Sequence, residues 1–231
     1  MTLVDAVASI GGHAFEVDRL GIDIAVIGPQ KALAGPAGVS AISVSEKAWE
    51  LLSHENASDN SMLSLMDQKK LWLDAGRGAL PGTPAPLEFY ALEAALDRIE
   101  AEGLASANER HERAAAATRN GIRALGIATW VKEAHASALV STAILPNTVE
   151  AKAFIAAASQ KHGADISAGV GPGAERLIRL NHTGRRAHPE AVKANIVAFS
   201  SALKSLGHAA DTDSALEASE KAYSDADPNR V

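Results

Sequence analysis

The chain has 231 residues, 47% of them apolar, which gives one large domain or two small ones ample material for a buried core. It contains no cysteine, so disulfides, thiolate metal sites and cysteine nucleophiles are excluded, and its net charge of −6 argues against general affinity for a nucleic-acid backbone. No apolar run approaches the ~20 residues that cross a bilayer, and MTLVDAVASI lacks the basic flank and cleavage site of an export signal, so a cytoplasmic location is expected.

In chain order, Leu3 to Val7, Ile22 to Ile27 and Val39 to Val44 are short β-branched runs bounded by glycine or polar residues, the pattern of strands buried on both faces. Ser45 offers an N-cap for a helix through Trp49 and Leu52. The stretch from Ser53 to Gly82 is irregular. Thr83-Pro84 is a helix start, with Leu92, Leu96 and Ile99 on one face up to about Glu102. A second helix is predicted over Ala105 to Leu125. Ser137 to Leu145 then reads as a strand, Val149 to His162 as a helix closed by Gly163, Leu177 to Leu180 as a strand, and Pro189 to Leu206 as a helix. Between His208 and Val231 six acids face two bases, which predicts a solvated, poorly ordered tail.

The segment GIDIAVIGPQKALAGPAGVSAISVS delivers Lys31 from a buried strand into a loop set between Gly28-Pro29 and Gly35-Pro36. A rigid, partly desolvated loop makes a lysine amine a better nucleophile towards an aldehyde and a better base. A solvated lysine at a strand end fits the same pattern. About 25 residues earlier Asp5 stands inside an apolar run, where a carboxylate is costly without a cationic partner. Alternation puts Asp5 and Val7 on one strand face, while the plainer reading makes Asp5 the cap of a local turn.

Taken together, Val4-Asp5-Ala6-Val7-Ala8-Ser9, the strand Asp23 to Gly28, Gln30-Lys31-Ala32-Leu33, Pro36-Ala37-Gly38, the segments PGTPAPLEFYALEAALDRIEAEG and ERHERAAAATRNGIRALGI, and GVGPGAERLIRLNHTG resemble the class V aminotransferases. The group comprises the alanine–glyoxylate, serine–glyoxylate and pyridoxamine–pyruvate enzymes. The resemblance implies an α/β protein of the pyridoxal-phosphate-dependent transferase fold type I. Residues 1–104 would be the C-terminal part of the cofactor-binding large domain, residues 105–207 the small α/β domain, and residues 208–231 the acidic tail.

It also implies roles. Lys31 would hold pyridoxal 5'-phosphate covalently and move the proton, Asp5 would keep the pyridine nitrogen protonated, Val7 would pack on the ring, and Gln30 would reach the phosphate. Thr83 would reach the cofactor phosphate of a neighbouring subunit, making a homodimer part of the site. Arg179 would grip the carboxylate of an amino-acid or 2-oxo-acid substrate, since a guanidinium fork matches a carboxylate. A surface strand arginine is the plainer reading of Arg179, and His182 reads as a packed, hydrogen-bonded histidine. The implied activity is transamination between an amino acid and a 2-oxo acid such as glyoxylate or pyruvate, with pyridoxamine–pyruvate transamination as the alternative.

Cysteine desulfurases share the fold family but need a persulfide-forming cysteine, which this chain lacks. Gly169 to Ala174 nominally fits a dinucleotide motif, but Arg176-Leu177-Ile178-Arg179-Leu180 follows it with strand alternation, so a turn is predicted. The eight histidines form no H-E-x-x-H pattern, and no metal site is expected. Glu109-Arg110-His111-Glu112-Arg113 reads as a solvated helix face. The Asp5 strand opens the sequence, so the resemblance implies that a phosphate-binding helix N-terminus and a ring-stacking aromatic, which precede that strand in the family, are not supplied by these residues. Two readings follow: the cofactor-lysine half of a working enzyme, or a non-catalytic remnant or dimerisation module.

Overall fold

The computed structural model describes residues 1–54, 61, 63–158 and 164–224. They divide into two compact units, one of residues 1–10, 15–31 and 35–98, the other of residues 11–14, 32–34 and 99 onward. The sequence places a division near residue 104 but gives no sign of the two short early segments that join the second unit.

In the first unit β1 (Leu3–Asp5) pairs in parallel with β2 (Ile24–Ile27), and β3 (Ala41–Val44) lies antiparallel on the other side of β2. Asp23 ties the base of this sheet together. Its carboxylate accepts the Thr2 N–H at 2.7 Å and the Ser45 hydroxyl at 3.3 Å, and meets Lys47 Nζ at 3.4 Å. The Thr2 hydrogen bond, assisted by Lys47, holds this carboxyl below the usual aspartate range. Ser45 caps α1 (Glu46–His54), its hydroxyl accepting the Ala48 N–H at 3.1 Å. Then come α2 (Leu65–Gln68), a π-helical turn (Lys69–Leu73) and α3 (Pro86–Glu102).

Two expectations change here. The strands are not all buried on both faces: Ile24 and Ala25 are buried, but Leu3 is 62% and Ile42 47% exposed, because the sheet is three strands wide and its outer strands lack cover in this chain. The long helix begins at Pro86, not at Thr83. Ala85 precedes a proline and is pushed out of the helical region, while Pro86 suits a first turn.

The second unit is an antiparallel sheet of order β4-β5-β7-β6, formed by β4 (Ala128–Thr129), β5 (Val140–Ile144), β6 (Ile166–Ala168) and β7 (Leu177–Asn181). It packs with α4 (Leu104–Ala124), α5 (Ala151–Ala158) and α6 (Pro189–Ser205). Phe154, Phe199, Ile122, Leu145, Ile178, Leu180 and Ile196 fill the core, and the Phe154 and Phe199 rings meet at 4.6 Å in a tilted pair. Gly121 lets α4 approach its neighbours: a Cβ there would stand 2.4 Å from Ile196 Cδ1 and 3.1 Å from the Ala215 carbonyl. The glycine-rich segment after β6 is a turn, with Gly171 and Gly173 both at φ +82°.

The acidic stretch is not a solvated tail throughout. Thr212–Ser224 forms α7, packed on α4 and α6. Ala215, Leu216, Ala222 and Tyr223 recur at helical spacing and join the core, an apolar stripe that the charge count hides. Residues 225–231, and the expected end of the helix at residues 159–163, lie outside the described residues.

Candidate active site

The C-terminal ends of two parallel strands form an edge where ligands commonly sit in open α/β sheets. Here that edge is the end of β1 with β2. Asp5 is the last residue of β1 and pairs with Val26, and the chain runs from the end of β2 through Gly28 and Pro29 to Gln30 and Lys31. The loop is a tight turn, with the Lys31 N–H on the Gly28 carbonyl at 3.3 Å and the Gly35 N–H on the Pro29 carbonyl at 2.8 Å.

Gly28 is the pivot of this edge. A Cβ on it would lie 2.6 Å from Val7 Cγ1 and 2.9 Å from Gln30 Oε1, so only glycine lets Val7 and the Gln30 amide close over the backbone. Sequence reasoning marked the glycine but not the pair of side chains it brings together. Asp5 does what the plainer reading proposed, since its Oδ1 accepts the Val7 N–H at 3.0 Å. β1 stops at Asp5, and Val7 starts a turn. The two residues are therefore joined by an Asp-backbone turn rather than by strand alternation.

Asp5, Gln30 and Lys31 are exposed. The desolvation expected for Lys31 and Asp5 is not met within this chain, because their loop crowns the open edge of a narrow sheet. Thr83 is exposed too, on the wall of a cavity of about 660 Å³ lined by Ile42, Trp49, Trp72, Pro81 and Phe89. It lies in the same compact unit as the other four residues.

Arg179 belongs to the second unit. It is the exposed member of β7, whose flanking residues Ile178 and Leu180 are buried, and it stands between Thr142 of β5 and Ser167 of β6. Asn195, fully buried on α6, fixes this part of the sheet: its Oδ1 accepts the Asp165 N–H at 2.8 Å and its Nδ2 donates to the Asn181 carbonyl at 3.0 Å. Sequence reasoning missed Asn195. The signal was an amide on the apolar face made by Val192, Ile196 and Phe199.

His182 is fully buried, with Nε2 3.0 Å from the Ser141 hydroxyl. Burial, reinforced by the Arg119 guanidinium, pushes its pKa down to about 3, so it is a neutral structural histidine at ordinary pH. Arg119 also binds Glu133, with Nε 2.9 Å from Oε1. Arg119 foremost, with Arg123, holds the Glu133 carboxyl below the usual glutamate range. The charge run on α4 is only partly solvated: Arg110 forms an ion pair with Glu102, and His111 has no exposed surface.

Residues 1–185 match the family model "Aminotransferase class-V". An uncharacterised aminotransferase of Methanocaldococcus jannaschii is 38% identical, over 89% of this chain and 52% of its own length. The pyridoxamine–pyruvate transaminase of Mesorhizobium japonicum is 33% identical over 89% of this chain and 52% of its own length. Among solved structures, the pyridoxamine–pyruvate aminotransferase of Mesorhizobium loti superposes with a TM-score of 0.90 at 32% identity, over 96% of this chain and 57% of that one. The ureidoglycine–glyoxylate aminotransferase of Bacillus subtilis gives 0.88 at 26% identity, with the same coverages. The chain thus spans about half the length of the curated relatives it matches. The fold is that of part of a type I aminotransferase, and the chain belongs to the class V aminotransferase family.

Proposed function

We propose that this chain carries the cofactor lysine and the substrate-carboxylate arginine of a pyridoxal-phosphate-dependent aminotransferase that exchanges an amino group between an amino acid and a small 2-oxo acid such as glyoxylate or pyruvate. The observation that carries the reading is the gathering of Asp5, Val7, Gly28, Gln30 and Lys31 at one parallel strand edge. The bare backbone of Gly28 lets Val7 and the Gln30 amide close over it, which sets an apolar side chain and an amide donor beside the loop of Lys31, the groups that a flat ring with an anionic arm calls for.

When bound, pyridoxal phosphate supplies an aldehyde for covalent capture of amines and a protonated ring that accepts electrons. The residues supply the rest. The Lys31 amine would tether the aldehyde and, once displaced by the amino acid, would take the proton from the substrate's α-carbon and deliver it to the former aldehyde carbon. Asp5 pairs with the ring N–H as a carboxylate, Val7 limits the ring on one face, and the Gln30 amide donates to the phosphate. Arg179 binds the substrate carboxylate through two parallel N–H bonds. Thr83 donates to the phosphate of a second subunit's cofactor in a homodimer, and the cytoplasm is the proposed compartment.

A second choice of donor, pyridoxamine itself, is favoured by the likeness to pyridoxamine–pyruvate aminotransferase in both sequence and structure. Turnover with alanine, serine and free pyridoxamine as donors separates the two.

The test is spectroscopic and kinetic. The protein with added pyridoxal phosphate turns yellow, and Lys31→Ala stays colourless. Arg179→Lys keeps the colour but raises KM for the amino acid at least about tenfold, the cost of one lost charge-assisted hydrogen bond. A yellow Lys31→Ala protein contradicts the tether, and equal loss of colour and turnover in Arg179→Lys contradicts the carboxylate role.

A further inference from the structure

The turn that leaves β7 is held by a histidine read in one protonation state only. His111 is fully buried on α4, and its Nδ1 lies 2.7 Å from the Ala107 carbonyl, so Nδ1 carries the proton and donates. That leaves Nε2 with a lone pair, and Nε2 accepts the Gly184 N–H at 2.9 Å. Gly184 is buried in the left-handed region at φ +61°, and its carbonyl accepts Nη1 of Arg110 at 2.8 Å. Neighbouring side chains on one helix therefore grip both ends of the Gly184 residue. The Thr183 hydroxyl adds a bond to the Leu139 carbonyl at 2.8 Å, and the Thr183 N–H one to Asn181 Oδ1 at 3.0 Å.

We infer that His111 is the acid-sensitive positioning residue of the turn Thr183 to Arg186, holding it through the Gly184 N–H only while the imidazole is neutral. A second proton would go to Nε2 and point N–H at N–H across 2.9 Å, replacing an attraction by a repulsion in a buried site. The turn then has to open or the proton has to stay away.

The charged surroundings favour the neutral ring. Burial acts first and the Arg110 guanidinium and His13 act with it, against the Ala107 carbonyl and the carboxylate of Glu102, so the pKa lies below the ordinary histidine value. His182, behind the strand end, is neutral and buried. Arg186 of the turn pairs outward with Asp165 at 3.2 Å, and Arg185 is exposed.

β7, which leads into this turn, carries Arg179 five residues before Gly184. Any effect on substrate binding rests on the carboxylate role proposed for Arg179. The hold on the turn does not.

The experiment is amide and ring-nitrogen NMR on the full ¹⁵N-labelled chain from pH 8 downward. The His111 Nε2 shift stays that of an acceptor to lower pH than in a free histidine. As the pH drops below the ordinary histidine value, Gly184 amide protection falls by up to about tenfold per pH unit and levels off once the ring in the closed turn is itself protonated, as loss of one proton-linked contact requires, while the Ile196 and Phe199 amides stay protected. His111→Gln, which keeps an acceptor that does not titrate, holds Gly184 protected and removes the pH step. His111→Leu leaves Gly184 in fast exchange at every pH with the core intact. The inference is overturned if Nε2 titrates as an ordinary exposed imidazole, if Gly184 loses protection only together with Ile196 and Phe199, or if His111→Leu leaves its protection unchanged. None of these readouts involves Arg179, so a failed carboxylate role and a failed pin are told apart.

Discussion

At the scale of single residues, the site depends on what Gly28 lacks. Its missing side chain lets Val7 and Gln30 both close on the backbone; the Gln30 amide ends a flexible side chain and can yield, but Val7 is β-branched and stiff. Gly28→Ala therefore costs about 1–3 kcal/mol and pushes Val7 and Gln30 off the positions proposed for the ring and its phosphate, so pyridoxal phosphate uptake weakens about tenfold or more. Absorbance titration beside a urea melt checks both numbers, and unchanged uptake would mean the ring does not rest there. The loop position of Lys31 was legible, since paired Gly-Pro steps after an apolar run mark a turn at a strand end, while its role came only from the resemblance. The closure over Gly28 was not, since it is made by Val7 across a parallel crossover. Asp5 shows the opposite limit: strand alternation gave the right neighbour, Val7, through the wrong geometry, because the strand ended two residues sooner than its apolar run.

Among the secondary-structure elements, β7 is where periodicity worked best, since Ile178 to Asn181 alternates and Arg179 falls on the exposed face between buried Ile178 and Leu180. What holds β7 in place could not be read so easily. Asn195 bridges the Asp165 N–H and the Asn181 carbonyl from a helix thirty residues beyond Asp165. Asn195→Ala leaves one part-buried donor and one part-buried acceptor without their partner and costs about 1–3 kcal/mol, read as a lower urea midpoint. On the proposed role of Arg179, KM for the amino acid rises while cofactor colour stays. α3 was misplaced at its start because Thr83-Pro84 and Ala85-Pro86 both resemble helix openings, and the pre-proline restriction on Ala85 decided between them. α7 was missed because six acids outweighed a four-residue apolar stripe in the composition.

For the molecule as a whole, stability should fall in acid. The folded state holds the His182 ring near a pKa of about 3, against an ordinary 6.5 in the unfolded chain. The depressed value means that the unfolded state takes the proton first. The contribution is complete above pH 6.5 and declines by about 1.4 kcal/mol per unit from there towards pH 3. His111 acts in the same direction. Glu133 and Glu102, held low mainly by hydrogen bonds from Arg119 and Arg110, lose their stabilisation as pH drops through the carboxylate range. Urea midpoints should be flat from pH 8 to 7 and fall below 6.5, and His182→Gln should remove about one proton from that slope. A flat profile down to pH 5 would show that the buried histidines do not control acid stability. The central claim concerns a single amine. Borohydride reduction of the protein after incubation with pyridoxal phosphate, followed by peptide mass spectrometry, should place the reduced cofactor on the peptide containing Lys31 and on no other lysine. An adduct on Lys47 or Lys69, or spread over many lysines with Lys31 unmodified, would contradict the account.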